Sequence, residues 1–216
     1  MKDKPNEWVS ISDLMSGVMA IVMLLLVVSV LQKTYSEFKH QQEMQQGDFA
    51  QQKKMTEMLS NLKQSISEQG ASELVDFNMA DSRIILKDGV FEKGSACITP
   101  LAQTALSSIE DKVIEHLKNA PNHEIFVEGY TDSDPVSVPV TNFEKYCTVY
   151  DDNYTLSAAR AREARKLIIG NLTEKEAKKI IVAGYGDSRL LPNIPSIDSR
   201  NRRVEIRFVI NKSNQK

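Results

Sequence analysis

The chain begins with one long apolar run that gives way to a polar, helix-prone stretch. The run "SISDLMSGVMAIVMLLLVVSVL" extends from Ser10 to Leu31 and contains one acid, Asp13, and no base. A helix from Trp8 to Leu31 would be about 36 Å long, which is enough to cross a hydrocarbon core of about 30 Å. No convincing small-x-small cleavage site follows the run. The pattern therefore predicts a retained membrane anchor rather than a cleaved signal peptide.

Asp13 has two interpretations in this run. It could be a helix N-cap just outside the bilayer, although Ser10 and Ser12 are better placed to cap. It could instead be an ionisable group that faces a partner helix or a water path, since a charge inside a span costs about 2.5–3.5 kcal/mol and usually marks function. Small residues on the same helical face would permit close packing against another helix, namely Ser16, Gly17 and Ala20.

The stretch at 32–74 is rich in Gln, Met, Lys and Glu and carries a narrow apolar stripe. The stripe recurs at spacings of four, three and four, as on one face of a helix, at Met55, Leu59, Leu62 and Ile66. One interpretation is a juxtamembrane helix or short coiled coil whose stripe is buried by a dimer. The other is a frayed polar linker.

From about Leu74 the pattern becomes that of a globular α/β domain. "RIILKD" predicts a strand, and Thr99 and Pro100 predict the start of an amphipathic helix. "HEIFVEGYTD", "IIVAGYGD" and "RRVEIRFVI" predict further strands, and "LSAARAREARKLIIG" predicts a helix that stops at Gly170. The order β-α-β-α-β-β predicts a two-layer α/β (α+β) domain with helices on one face of a mixed sheet. The predicted segments are an N-terminus, a transmembrane helix, a linker helix and this domain, at 1–7, 8–31, 32–74 and 75–216.

Composition narrows the classes of function. The formal net charge is -2 and no Lys/Arg-rich block is present, so nothing favours a nucleic-acid partner. His40, His116 and His123 are scattered without metal-ligand spacing, and no nucleophile-base-acid set stands out. The sequence therefore predicts no enzyme, no metal and no cofactor.

The two cysteines, Cys97 and Cys147, lack the spacing of a metal-binding pair. If this part of the chain is exported, they can form a disulfide. Closing a loop of about 50 residues would then stabilise the fold by roughly 4 kcal/mol. The alternative is two unpaired thiols in separate loops.

Four segments resemble the OmpA-like peptidoglycan-binding domain: "VEGYTD" at 127–132, "NYTLSAARA" at 153–161, "AGYGDSR" at 183–189 and "SRNRRVEI" at 199–206. The resemblance covers about residues 75–211. It implies that Asp132 and Arg160 hold the charged diaminopimelate group of the stem peptide. This assignment suits a zwitterionic amino acid, because a guanidinium can bind a carboxylate bidentately. The same resemblance implies that the site is lined by Thr131, Asn153, Leu156 and Ser157, with Arg203 as a further candidate.

The chain departs from that family at two places. Tyr130 stands where the family usually has His, and the segment between Asp132 and Asn153 is longer than usual. The longer segment contains Cys147, which could pin it to Cys97. An insertion at this place could cover or reshape the site.

The layout as a whole resembles the MotB family of stator subunits. "SDLMSGVMAIVMLLL" is similar to that family's aspartate followed by a Met-rich span, and Asp13 falls on its ion-carrying aspartate. The resemblance implies a plug or linker after the span, and a homodimer inside a ring of a MotA/ZorA-like multi-span partner at a ratio of 5:2. It also implies an inner-membrane protein with a cytoplasmic N-terminus and a periplasmic domain bound to peptidoglycan.

The compact length makes the chain most similar to the B subunit of the Zorya anti-phage defence system (ZorB), which has the same stator plan. A proton-driven defence motor is the function that this resemblance implies. Two alternatives remain open on the sequence. One is a flagellar stator that powers motility. The other is a passive tether between membrane and wall, which would not explain why an acid, Asp13, lies in the apolar run.

Overall fold

The structure, a computed structural model, describes residues 7–119, 123–170 and 172–210, which divide into two compact units after Lys53. Strands β1 to β5 are, in chain order, Val75–Asn78, Arg83–Lys87, His123–Tyr130, Ile180–Gly184 and Arg203–Ile210. Helices α1 to α5 are Glu7–Glu68, Pro100–Asn119, Phe143–Tyr146, Asn153–Ile169 and Glu174–Ala177. Short 3-10 turns cover Asp88–Val90 and Ser199–Asn201.

The apolar part of α1 has the length and composition of a membrane span. It covers Leu14–Lys39, and its large apolar side chains from Leu14 to Leu31 are exposed. Such a surface is stable in hydrocarbon or under other helices, because water disfavours a continuous apolar area of this size. Asp13 belongs to α1, but its side chain lies outside the described part of the chain, as does the predicted segment before Glu7.

Within the described residues, five strands form one mixed sheet in the order β1-β2-β5-β3-β4. β3 and β4 are parallel, as strands joined through a helix should be, and the other neighbouring pairs are antiparallel. The predicted α/β class is confirmed. The order along the chain contains one strand more than predicted, because β1 has only four residues and two of them, Asp76 and Asn78, are polar.

Helices α2 and α4 cover one face of the sheet. Two glycines let α4 approach closely. A Cβ at Gly129 would lie 1.9 Å from the carbonyl oxygen of Ser157, and one at Gly184 would lie 2.6 Å from the Cβ of Ala158. Alternate strand residues fill the core between the layers, among them Ile84, Leu86, Ile125, Val127, Val204 and Ile206.

The apolar stripe of the linker is part of this core. Met55, Leu59, Leu62 and Ile66 are at most 5% exposed and cluster with the buried residues of the sheet and helices. They lie in the second compact unit, which begins at Lys54. The stripe is therefore buried by the chain's own domain, and its burial needs no second copy of the chain.

A histidine pair, of which His123 is buried and His116 half-buried, links α2 to β3. Nε2 of His116 lies 2.7 Å from Nδ1 of His123, and the His116 ring packs edge-on against Phe208. Burial, together with the nearby His123, lowers the pKa of His116 from its usual 6.5 to about 4. Burial and nearby Lys179 also lower the pKa of His123. The fold thus joins two histidines that looked unrelated in the sequence.

The histidine pair predicts a loss of stability in mild acid. Both pKa values are lowered in the folded state, so the unfolded chain binds more protons as the pH falls below 6.5. The free energy of unfolding should therefore decrease from pH 6.5 to about pH 4, and the midpoint of thermal unfolding should drop by a few degrees. A His116→Gln variant should show a shallower decrease. Equal pH dependence in the two proteins would contradict this account.

Candidate functional site

Thr131 and Asp132 follow β3 directly and are buried at the end of the sheet. The backbone N–H of Thr131 donates to the carbonyl oxygen of Gly186 over 2.8 Å. Asn153, the first residue of α4, donates from its side-chain amide to the carbonyl oxygens of Asp132, 3.2 Å away, and Asp134, 3.0 Å away. These bonds fix the turn after β3 against the beginning of α4.

Arg160 reaches the same region from α4, with 2% of its surface exposed. Its Nε donates to the carbonyl oxygen of Ser95 over 2.9 Å, and its guanidinium lies over the ring of Phe91. Nη1 lies 3.7 Å from a carboxylate oxygen of Asp88 and is buried without a hydrogen-bond partner among the described residues. Burial lowers the pKa of Arg160. A buried charged donor without a hydrogen bond is unfavourable, so this nitrogen is available to donate a hydrogen bond to an anionic ligand.

Arg202 joins the two halves of the site into a chain of four charges. Its Nη1 donates to the Asp132 carboxylate and its Nη2 donates to Asp88 over 2.8 Å. Hydrogen bonds to these two carboxylates raise the pKa of Arg202. The order is Asp132, Arg202, Asp88 and Arg160, in which acid and base alternate. Asp88 and Arg202 were not among the residues predicted from the sequence, although the paired arginines of "NRRVEI" were a signal for Arg202.

Arg203 does not join this chain of charges. Its Nε donates to Glu205 over 2.7 Å, and its guanidinium lies 4.0 Å from the centre of the Tyr130 ring, on the sheet face away from the helices. In β5 alternate side chains point to opposite faces, so Arg203 shares a face with Glu205. Tyr130 is also on that face, where it stacks on Tyr185 and donates to Glu128. The residue that replaces the family's usual His therefore faces away from the site.

The remaining predicted residues lie at the start of α4 and beside Asp132. The Ser157 hydroxyl donates to the carbonyl oxygen of Tyr154 and accepts from the N–H of Gly186 over 2.9 Å, so it holds the loop after β4 in place. Leu156 is buried one residue earlier. The Thr131 hydroxyl is buried and, among the described residues, has no hydrogen-bond partner. It is a second polar atom that a ligand could satisfy.

The long segment after Asp132 is fastened to the loop that holds Arg160. Cys97 and Cys147 are joined by a disulfide. The Ser95 hydroxyl and the N–H of Ala96 both donate over 3.0 Å to the carbonyl oxygen of Tyr146. Because the carbonyl oxygen of Ser95 accepts from Arg160, the inserted segment supports the guanidinium through this loop.

The sequence pattern of the OmpA family matches residues 90–203, and the chain belongs to this family. The matched range contains the whole chain of charges except Asp88. No curated protein matches the chain in sequence.

Two solved structures share the fold of this domain. A MotB-like protein from Desulfovibrio vulgaris is 19% identical with a TM-score of 0.53, over 74% of this chain and 98% of that one. The cell wall anchor of the T6SS from Pseudomonas aeruginosa is 23% identical with a TM-score of 0.50, over 70% of this chain and 97% of that one. At these identities the similarity concerns the fold.

Proposed function

We propose that the C-terminal domain binds peptidoglycan through the diaminopimelate residue of its stem peptide. The observation that carries the proposal is the buried Nη1 of Arg160, which has no hydrogen-bond partner among the described residues and lies beside Asp88 in the same chain of charges as Asp132. The ligand carboxylate would bind Arg160, and the ligand ammonium would take the place of Arg202 at Asp132. Arg160 suits a carboxylate, since a planar guanidinium can donate two parallel hydrogen bonds.

The charge balance of the site favours a zwitterion. Asp132, Arg202, Asp88 and Arg160 carry two positive and two negative charges. A ligand end with one ammonium and one carboxylate adds one charge of each sign and leaves the site neutral. A simple amine or a simple carboxylate would leave one charge uncompensated beside the buried side chains of Asp132 and Arg160, which is unfavourable.

An Asp132→Asn variant tests this function. The amide keeps the size of the side chain but removes the charge that attracts the ammonium. We expect the affinity for sacculi that contain diaminopimelate to fall roughly 10- to 100-fold, as for a lost hydrogen bond between charged groups. Binding is measured by co-sedimentation of the full chain with sacculi and by competition with free meso-diaminopimelate.

Asp134→Asn is the matched control for Asp132→Asn. The Asp134→Asn substitution removes the same charge two residues away, at a side chain that is exposed. It should bind sacculi like the unaltered chain. Equal binding by Asp132→Asn and Asp134→Asn, or no competition by meso-diaminopimelate, would contradict the proposed site.

We further propose that the whole chain is a stator subunit of the inner membrane. Two copies would place their spans inside a ring of a MotA/ZorA-like multi-span partner, and Asp13 would carry protons along that interface. The domain would lie in the periplasm and hold the pair to the wall, so that the partner ring turns against a fixed axis. The support is an apolar segment, Leu14–Lys39, in a chain whose second unit belongs to the OmpA family.

Anti-phage defence of the Zorya type is the role we propose for this motor. The support is the segment "SDLMSG" before the apolar run. A neighbouring gene for a multi-span protein with a large cytoplasmic domain would favour a stator over a passive tether. Loss of phage resistance, with swimming unchanged, on deletion of the gene would favour defence over motility.

A further inference from the structure

The inserted segment, residues 133–152, is bonded to the loop before α2 by a disulfide and by hydrogen bonds. The Tyr150 hydroxyl donates to the carbonyl oxygen of Gly94 over 2.6 Å. The disulfide joins Cys97 of this loop to Cys147 of the segment, 50 positions later in the sequence. The segment and the loop therefore form one unit in the folded chain, although α2 and β3 separate them in the sequence.

This loop fixes the position of the Arg160 guanidinium. The carbonyl oxygen of Ser95 accepts from Nε of Arg160 over 2.9 Å, and Ser95 is buried. The Ser95 hydroxyl and the N–H of Ala96 donate to the carbonyl oxygen of Tyr146, each over 3.0 Å. A movement of the Tyr146 carbonyl would therefore release the loop, and with it the acceptor of the Arg160 Nε–H.

Cys147 also contacts the helix that contains Arg160. Nη2 of Arg162, two residues further along α4, donates to the carbonyl oxygen of Cys147 over 3.0 Å. The guanidinium carbon of Arg162 lies 5.9 Å from the centre of the Phe143 ring in α3. The inserted segment is thus connected to Arg160 along two routes, one through the loop and one through α4.

The backbone of Cys147 is in the left-handed region, with φ at 55° and ψ at 13°. A residue with a side chain adopts this conformation at a cost in free energy, so the surrounding bonds must hold it there. The disulfide is one of those bonds. The peptide group between Tyr146 and Cys147 contains the Tyr146 carbonyl. A return of φ at Cys147 to negative values would therefore rotate this carbonyl away from its two donors.

The disulfide can be reduced by a dithiol. Cys97 and Cys147 are half-buried rather than enclosed in the core, so a dithiol can approach them. A thiolate of the dithiol attacks one sulfur and forms a mixed disulfide, and its second thiol then displaces the protein sulfur. Two electrons and two protons pass to the protein, which is left with two cysteine thiols, while the dithiol becomes a disulfide.

We propose that the Cys97–Cys147 disulfide is a redox switch of the Arg160 site. With the disulfide closed, the loop holds Arg160 in an orientation that suits a ligand carboxylate. Reduction lets Cys147 relax, so the Ser95 carbonyl moves and the guanidinium loses its fixed orientation. The domain then binds the wall more weakly under reducing conditions. This inference rests on the proposed binding of peptidoglycan at Asp132 and Arg160.

Binding to sacculi tests the effect of reduction. The full chain in detergent is co-sedimented with sacculi in its oxidised form and in the presence of dithiothreitol. We expect reduction to weaken the affinity about fivefold, at the low end of typical couplings between sites. The Cys97→Ser/Cys147→Ser variant should bind like the reduced chain, and dithiothreitol should not change its affinity.

The arginine Nε–H signals show whether the effect passes through Arg160. An Nε–H that donates to a buried carbonyl exchanges slowly with water, so it can be followed by proton–nitrogen NMR of the full chain. We expect reduction to speed the exchange at Arg160 about tenfold or more. Arg165 is the matched control on the same helix, because its Nε donates to the carbonyl oxygen of Ile180 in β4 over 2.8 Å. Its exchange should not change.

Three results would overturn the redox switch. The first is equal affinity of the oxidised and reduced chains for sacculi. The second is weaker binding with unchanged exchange at Arg160, because the disulfide would then act without moving the guanidinium. The third is a loss of helical circular dichroism on reduction, because the disulfide would then hold the whole domain rather than the site. If the oxidised chain does not bind sacculi, the proposed function itself is wrong and the switch falls with it, even where exchange at Arg160 responds to reduction.

Discussion

An Asp13→Asn substitution is expected to abolish ion flow through the complex while leaving wall binding intact. Asparagine has nearly the size and polarity of aspartic acid but cannot exchange a proton at neutral pH. If Asp13 alternates between a protonated and a charged form during each transfer, the variant holds one form permanently. The domain that we propose to bind the wall lies in another compact unit, so it should retain its affinity for sacculi.

The measurement uses cytoplasmic pH as the readout. We expect deletion of residues 32–50, the part of the linker that would act as a plug, to let protons leak into cells that also produce the multi-span partner. Adding Asp13→Asn to the deletion should stop the leak, whereas Asp13→Glu, which keeps a carboxylate, should restore part of it. A leak that persists in the Asp13→Asn deletion variant would show that Asp13 is not the carrier.

Replacement of both cysteines by serine is expected to lower the free energy of unfolding by roughly 4 kcal/mol. The disulfide between Cys97 and Cys147 closes a loop across 50 residues of sequence. Without it the unfolded chain gains conformational freedom, which is the main source of the loss in the chain-entropy model. The midpoint of denaturant unfolding, followed by far-ultraviolet circular dichroism of the full chain, measures the difference.

A reductant provides the control for the cysteine variant. The unaltered chain with reductant should unfold at the midpoint of the Cys97→Ser/Cys147→Ser variant, and reductant should not shift the variant further. A difference below about 1 kcal/mol between oxidised and reduced protein would indicate that the hydrogen bonds to Tyr146 suffice to hold the inserted segment. In that case the disulfide would contribute little to the free energy of unfolding.

Local chemistry made much of the domain predictable. Thr99 and Pro100 begin α2 as expected, with the Thr99 hydroxyl accepting from the N–H of Ala102. Val204, Ile206 and Phe208 alternate in β5 and are buried, which confirms the predicted antiparallel strand. These features depend on residues within one turn of helix or one strand, so the sequence contains them directly. Strand β1 was not predicted because four residues are too few to show the alternation of apolar and polar positions that marks a strand.

The charged network of the site could not be predicted in the same way. Asp88 and Arg202 are 114 positions apart, and Asp132 and Arg202 are 70 positions apart. Pairing over such distances is set by the order of strands in the sheet and leaves no local pattern. The resemblance to a family supplied Asp132 and Arg160, but choosing between Arg202 and Arg203 required the register of β5. The burial of the linker stripe posed the same difficulty, since the sequence alone did not say what covers it.

The burial of the stripe from Met55 to Ile66 determines where this chain can be recombined with its relatives. A hybrid that joins a foreign anchor at residue 75 would remove five buried apolar residues from the domain, namely Ala71 and the four large residues of the stripe. At about 1.5–3 kcal/mol for each large side chain, this loss is comparable to the whole stability of a typical domain. A junction at Lys54 keeps them. The last turns of α1 thus belong with the domain, and any exchange of this domain between related chains must include them.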